Sequence, residues 1–213
     1  MDTHSLLAVS PIDGRYASKT EPLKSYFSEF ALIRYRIRVE IEYFIALCEI
    51  PLPQLADVDK SKYQAMRDIY LNLTPEQAME VKEIEKTTNH DVKAVEYFIK
   101  RHFHELGLDK WSEFVHFGLT SQDINNTSQP MMLKEAMDNV YMPALKEVLA
   151  IIAGMAEEWK DVPMLAKTHG QPASPTRLGK EFKVYQVRLE EQLRQFALLT
   201  YPAKFGGATG NMN

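Results

Sequence analysis

Four clusters of polar residues have the side chains needed to bind anions or transfer protons. They occupy residues 13–16, 87–91, 120–123 and 168–172, and each lies where a helix is predicted to begin or where a loop joins two helices. Helix N-termini present unpaired backbone N–H groups and a partial positive charge, so they bind carboxylates and phosphates. This placement predicts either a site for small anionic substrates or a set of ordinary helix caps.

The first cluster, Asp13-Gly14-Arg15-Tyr16, combines a flexible glycine with two side chains suited to a phosphorylated ligand. An arginine binds phosphate through two parallel N–H groups, and a tyrosine donates a hydrogen bond or stacks on a ring. A turn followed by a surface salt bridge would also explain this tetrapeptide, which alone does not separate the two interpretations.

The second cluster, Thr87-Thr88-Asn89-His90-Asp91, is a run of five polar residues at a predicted helix start. Asn89 is predicted to be the N-cap and Asp91 to lie in the first turn, which helix energetics alone would explain. His90 adds a group that holds or releases a proton near neutral pH, and this favours a functional role.

The third cluster, Thr120-Ser121-Gln122-Asp123, precedes the longest predicted helix. Thr120 and Asp123 fit a capping box in which aspartate replaces glutamate, so a purely structural role is open. The same two hydroxyls and N-terminal N–H groups would also form a cradle for a carboxylate. The polar residues 125–128 are poor choices for a helix interior unless that face meets something polar.

The fourth cluster places His169 in a tight loop, Thr-His-Gly-Gln-Pro, between two long helices. A loop histidine next to glycine and fixed by proline is well placed for acid–base chemistry, although a structural histidine is the simpler alternative. His116 lies among apolar residues and is predicted to be in the core or beside the site. No His, Cys or acidic spacing resembles a metal site and no phosphate-binding loop motif is present, so no metal or cofactor is predicted.

These clusters need helices to position them, and helical periodicity dominates the chain. Apolar residues step by three or four along residues 30–48, which predicts a helix that ends before Pro51. Thr74-Pro75 resembles a capped helix start, and Gly107 a helix stop. The fold class is therefore predicted as all-α, with a small N-terminal helical domain at residues 1–110.

Beyond residue 110 the predicted helices become longer. Apolar spacing over residues 121–159 predicts one long helix with kinks at Pro130 and Pro143, and another helix is predicted to start at Ser174-Pro175. Residues 111–213 are thus predicted to be the start of a long-helix bundle. The glycine-rich end, residues 205–213, leads to no further element, which predicts that the chain is a truncated one.

Composition and charge limit the classes of partner and the cellular location that are expected. The 213 residues are 45% hydrophobic, enough for a core, and carry a net charge of −4 without blocks of like charge. Neither a nucleic-acid nor a membrane partner is predicted. A single cysteine, Cys48, excludes an internal disulfide, and the N-terminus lacks the pattern of a signal peptide, so the predicted location is the cytoplasm.

Four segments, taken in order along the chain, resemble the fumarase/aspartase superfamily. They are AVSPIDGRY (8–16), KTTNHDVKAVEYF (86–98), VHFGLTSQDINN (115–126) and KTHGQPASPTRLGKE (167–181). Within it, they resemble the bacterial adenylosuccinate lyase family. The resemblance implies a carbon–nitrogen lyase of purine nucleotide synthesis, in the AMP and IMP pathways. Its substrates would be adenylosuccinate, giving AMP, and the succinylated aminoimidazole carboxamide ribotide (SAICAR), giving AICAR, each with release of fumarate.

The resemblance also implies roles for individual residues. His169 matches the general acid that protonates the departing nitrogen. Substrate-binding positions of the family match the residues Arg15, Tyr16, Asn89, His90, Asp91, Thr120 and Ser121. The family's base is a serine within a Ser-Ser-x-Met-Pro-x-Lys-x-Asn-Pro signature, and no such segment occurs in these 213 residues.

The expectation is therefore an amino-terminal fragment that is inactive alone and forms a homotetramer when full length. Two alternatives remain open. Another fumarate-releasing lyase of the superfamily would keep the elimination and change the leaving group, although AVSPIDGRY and TTNHD argue against it. A non-catalytic helical interaction module would make every cluster a helix cap, and composition and periodicity alone do not exclude it.

Overall fold

The structure is a computed structural model that describes residues 6–50 and 52–211. The described residues contain eight α-helices, several short 3-10 helices and one two-stranded hairpin, which confirms the all-α prediction apart from the hairpin. The α-helices, with one π-helical turn after α6, are α1 Lys24–Phe27, α2 Glu29–Glu49, α3 Tyr63–Leu71, α4 Pro75–Thr88, α5 Asp91–Glu105, α6 Ser121–Ala136, α7 Met142–Glu158 and α8 Leu178–Phe196. The strands are β1 Pro163–Thr168 and β2 Gln171–Arg177.

The chain divides into two compact units. The first contains Met1–Ala136 and Pro202–Asn213, and the second contains Met137–Tyr201. The sequence-predicted boundary near residue 110 falls inside the first unit. The two compact units do not coincide with the predicted domains, and the division into domains 1–110 and 111–213 stays a prediction.

The core of the first unit is built around α2, which packs against α3, α4, α5 and α6. The middle of its predicted apolar stripe is fully buried, since Ile37, Ile41 and Phe44 each have 0% exposure, while Phe30 and Cys48 near its ends are partly buried. The rings of Phe44 and Phe103 meet edge to face at 4.9 Å, a favourable arrangement for aromatic pairs. The same helix also buries Arg36 and Glu40, one turn apart, and these polar residues position parts of the candidate site.

The ends of α4 and α5 follow from their capping residues. Thr74 and Gln77 form a capping box before α4, with Pro75 at its first position. Asn89 is not the N-cap of α5 as predicted; it is the left-handed C-cap of α4, and His90 is the N-cap of α5. Asparagine tolerates the left-handed region, so it suits the end of one helix as well as the start of the next.

The long helical stretch runs from Ser121 to Glu158, as predicted, but a π-helical turn at Met137–Tyr141 interrupts it just before Pro143. Pro130 lies inside α6. By length and composition alone, this stretch is long and apolar enough to cross a membrane, with a mean hydropathy of 1.2. A bundle helix that packs against other helices has the same composition.

The predicted helix start at Ser174-Pro175 is wrong. Residues Gln171–Arg177 form β2, which pairs antiparallel with β1, and α8 begins at Leu178. Proline lacks the N–H group that an inner strand needs, but both strands of a two-stranded ribbon are edge strands. Pro172 and Pro175 are therefore compatible with the hairpin.

Candidate functional site

Arg36 joins the second sequence-predicted cluster to the polar residues that follow the third cluster on α6. Its side chain is buried at 6% exposure; Nη2 donates to Asp91 Oδ2 at 2.6 Å and Nε donates to Asn125 Oδ1 at 2.9 Å. The planar guanidinium therefore holds the first turn of α5 beside the first turns of α6. Burial acts to raise the pKa of Asp91, but the Val92 N–H group and Arg36 outweigh it, so this pKa is lowered and the carboxylate is ionised.

The geometry of His90 assigns its tautomer. Its Nδ1 accepts a hydrogen bond from the backbone N–H of Lys93 at 3.2 Å, which caps α5. An Nδ1 that accepts places the proton of the neutral ring on Nε2. The His90 side chain is half exposed, at 51%. The residue therefore presents an N–H donor, with its ring orientation fixed by the cap.

Asp123 links the third cluster to the glycine-rich end of the chain. It is fully buried, and Oδ2 accepts from the Thr120 backbone N–H at 2.8 Å and from the Thr120 hydroxyl at 3.0 Å. Oδ1 accepts from Lys204 Nζ at 2.7 Å and from the N–H groups of Gly206 and Gly207 at 2.8 and 3.2 Å. Burial opposes ionisation, but these donors lower the pKa of Asp123 far below its ordinary value.

Arg15 and Tyr16 lie in a turn-rich N-terminal segment. The Arg15 guanidinium stacks over the Tyr16 ring at 5.5 Å, and Tyr16 is 48% exposed. Within the described residues, no hydrogen bond joins either side chain to the other candidate residues. The structure therefore leaves these two as a separate, accessible pair.

His169 lies at the tip of the β1–β2 hairpin in the second unit. His169 and Gly170 form the two-residue turn, with φ values of 46° and 75°. Two positive φ values define the turn type that matches the twist of a hairpin. His169 is exposed, and no hydrogen bond within the described chain occupies its ring, so a bound molecule has access to it.

Sequence reasoning missed three residues that organise the first unit, namely Arg36, Glu40 and Lys204. Arg36 and Glu40 sit at i and i+4 within the apolar stripe of α2, which places two charges on its buried face. Buried charges require partners, so this pattern in the sequence indicates that both residues contact other polar groups. Lys204 gives no comparable signal, since it precedes a glycine-rich turn and contacts a residue 81 positions earlier.

Solved structures of known fold resemble the chain along most of its length. A fumarate lyase from Mesorhizobium sp. BNC1 matches with a TM-score of 0.63 and 19% identity over 90% of this chain and 43% of that one. A beta-carboxy-cis,cis-muconate cycloisomerase from Acinetobacter calcoaceticus sp. ADP1 matches with a TM-score of 0.66 and 19% identity over 99% and 46%. These two likenesses show the fold.

Relatives of closer sequence carry the name adenylosuccinate lyase. Those from Dictyostelium discoideum, Vibrio cholerae and Escherichia coli K12 are 51%, 46% and 40% identical to this chain. The matches cover 99–100% of this chain and 46–47% of each relative. The chain thus spans about half the length of the curated relatives it matches.

A protein-family model described as "Lyase" matches residues 14–213. That match includes Arg15, Tyr16 and all of the later candidate clusters. With nearly the whole chain matched, this protein belongs to the lyase family.

Proposed function

We propose that this chain is the amino-terminal part of an adenylosuccinate lyase. The complete protein would release fumarate from adenylosuccinate to give AMP, and from SAICAR to give AICAR. Relatives of that name at 40–51% identity support this assignment. The structural observation that best supports the proposal is the pair of hydrogen bonds from Arg36 to Asp91 and Asn125. These bonds hold the Asp91 cluster against the helix that begins at Ser121.

The proposed reaction is a β-elimination. A base removes a proton from the carbon beside a succinyl carboxylate, the electron pair forms the double bond of fumarate, and the carbon–nitrogen bond breaks. His169 protonates the departing nitrogen, for which an imidazole near neutral pH is suited. The base is proposed to be the serine of the family's Ser-Ser-x-Met-Pro-x-Lys-x-Asn-Pro signature, which does not occur in these 213 residues.

The first unit supplies the substrate contacts. The turn at Thr120 and Ser121 binds the succinyl carboxylate with the N–H groups at the start of α6, where negative charge is stabilised. Asn89, His90 and Asp91 form a second group, in which His90 offers Nε2–H as a donor. Arg15 and Tyr16 bind the nucleotide through its phosphate.

The complete enzyme is proposed to be a cytoplasmic homotetramer whose active sites combine several subunits. The second unit supports this, because large apolar side chains on its helices are exposed to solvent. They include Val148 at 48%, Ile151 at 53%, Tyr185 at 60% and Val187 at 51%. Large apolar side chains that are exposed in one chain are normally covered by another chain in an assembly.

The test is an activity assay of the complete protein with four substrates: adenylosuccinate, SAICAR, argininosuccinate and malate. We expect fumarate from the first two, with equimolar AMP or AICAR, and none from the others. Fumarate from argininosuccinate or malate alone would assign another lyase of the superfamily. No fumarate from any of them, with a folded tetramer, would favour a non-catalytic module.

A further inference from the structure

Both hydrogen-bond donors of Thr120, its hydroxyl and its backbone N–H group, are used inside the protein. Asp123 is ionised and can only accept, so the hydroxyl of Thr120 must donate its single proton to Oδ2, at 3.0 Å. The Thr120 backbone N–H donates to the same oxygen at 2.8 Å. A substrate carboxylate also only accepts hydrogen bonds, so Thr120 has no proton left to offer it.

The hydrogen-bond donors next to Thr120, unlike its own donors, are not all used inside the protein. The Ser121 hydroxyl and the N–H groups of Ser121 and Gln122 have no hydrogen-bond partner among the described residues. Lys204 Nζ has three protons; one goes to Asp123 and one to the carbonyl oxygen of Gly207, which leaves one. Donors for an anion thus remain at Ser121, Gln122 and Lys204.

The charges at this turn are balanced. A buried carboxylate beside a carboxylate-binding site would repel the ligand, but the ammonium group of Lys204 lies 2.7 Å from Asp123 and offsets its charge. Asp123 is 0% exposed and Lys204 is 42% exposed at the side chain. The ammonium group of Lys204 is therefore accessible to a ligand, while the carboxylate of Asp123 is buried.

We propose that Asp123 is a positioning residue that fixes the turn through Thr120, while Ser121, the first amides of α6 and Lys204 bind the substrate carboxylate. This inference deepens the proposed function, on which it rests, by dividing the roles of two neighbouring hydroxyl residues. Asp123 sets the place of the turn and of residues 204–207 at once, because it accepts donors from both.

The first test compares Asp123→Asn with wild type in the complete protein. The amide turns one acceptor oxygen into a donor facing Thr120, so the turn loses its hold. We expect the inhibition constant of fumarate to rise about 10- to 100-fold, as for a lost hydrogen bond to a charged group, while the inhibition constant of AMP stays unchanged. Asp57→Asn, at an exposed position, is the matched control and should leave both constants unchanged.

Equal changes in both constants, or none, in a folded Asp123→Asn protein would overturn the inference. If wild type binds neither fumarate nor AMP, the proposed function fails instead. Should Asp123→Asn not fold, Ser121→Ala and Thr120→Val decide. We expect Ser121→Ala to weaken fumarate inhibition about 10-fold and Thr120→Val at most about 3-fold, since four of the five bonds to Asp123 remain. A loss for Thr120→Val as large as that for Ser121→Ala would make Thr120 a direct ligand and overturn the inference.

Discussion

His116 Nδ1 lies 2.5 Å from Oε1 of Glu40 inside the first unit, and the protonated imidazole donates this hydrogen bond. Glu40 is fully buried, and His116 has 19% side-chain exposure and a left-handed backbone with φ of 63°. The other carboxylate oxygen of Glu40 has no hydrogen-bond partner among the described residues. This pair fixes the segment that leads into the Thr120 turn, and it depends on the protonation of the imidazole.

The Glu40–His116 pair predicts a pH-dependent stability. The hydrogen bond to Glu40, opposed by burial and helped by the charges of Glu40 and Glu96, raises the pKa of His116 above its ordinary 6.5. A raised folded-state pKa contributes stability that is complete below pH 6.5 and lost as pH rises through the folded value. Burial also raises the pKa of Glu40, which acts in the same direction. We expect the free energy of unfolding to fall by about 1 kcal/mol from pH 6 to pH 9 through this pair.

The matched variant is His116→Asn, because asparagine tolerates the left-handed backbone and does not titrate. Urea unfolding of the 213-residue chain at pH 6 and pH 9 should show a smaller pH dependence in the variant than in wild type. An identical pH dependence in both proteins would contradict the prediction.

Arg36→Met should destabilise the first unit. Methionine keeps the apolar stem but leaves Asp91 and Asn125 without their shared donor, and we expect a loss of about 2 kcal/mol in the free energy of unfolding. Arg101→Met, on the exposed side of α5, is the control and should change it by less than about 0.5 kcal/mol. Chemical unfolding of both variants measures this difference, and equal effects would show that the bridge adds no stability.

The predictable part of the fold is the part set by local patterns. The apolar stripe of α2, the cap at Thr74 and the stop at Gly107 all follow from residues within a few positions of one another. The hairpin at residues 163–177 was not predicted, because Pro172 and Pro175 argue against a strand when only neighbouring residues are considered. Only the pairing of β1 with β2 shows that each strand is an edge that tolerates them.

The site was predictable in its residues but not in its connections. The clusters at Asp91 and Thr120 are visible because polar residues interrupt apolar periodicity. Their links through Arg36 and Lys204 join positions 55 and 81 residues apart, and no local pattern encodes such distances. The roles of Asn89 and His90 were displaced by one position, since both residue types cap helices.

Gly179→Ala should destabilise the second unit despite the higher helix propensity of alanine. A Cβ atom at Gly179 would lie 2.3 Å from the Ala156 carbonyl oxygen and 2.5 Å from the Lys160 backbone nitrogen, and neither backbone atom can easily move. Such overpacking costs about 1–3 kcal/mol, more than the propensity gain of about 1 kcal/mol. Thermal melting of the 213-residue chain should therefore show a lower melting temperature.

Gly154→Ala is the matched control for that substitution. It lies in α7, and a Cβ atom there would meet nothing within 4 Å. Alanine should therefore stabilise the helix by about 0.5–1 kcal/mol. If both substitutions raised the melting temperature, the close packing of α7 and α8 at Gly179 would be refuted.

His169 is the residue on which the proposed chemistry depends, and its backbone decides which substitution tests it. Its φ of 46° would strain alanine, so a His169→Ala protein would mix loss of the imidazole with distortion of the hairpin turn. Asparagine tolerates this conformation and removes the proton donor. In the complete protein, loss of a general acid should lower kcat for fumarate release about 10²- to 10⁴-fold, with a much smaller change in the inhibition constant of AMP.

The control for His169→Asn is His104→Asn, since His104 is an exposed histidine paired with Asp109 on the surface of the first unit. This variant should keep wild-type turnover. Stopped assays for fumarate, with melting temperatures for all three proteins, measure the comparison. A folded His169→Asn protein with near-normal turnover would remove His169 from the mechanism. A low melting temperature with matched losses of binding and turnover would make it a structural residue of the hairpin, because both quantities then track the amount of folded protein.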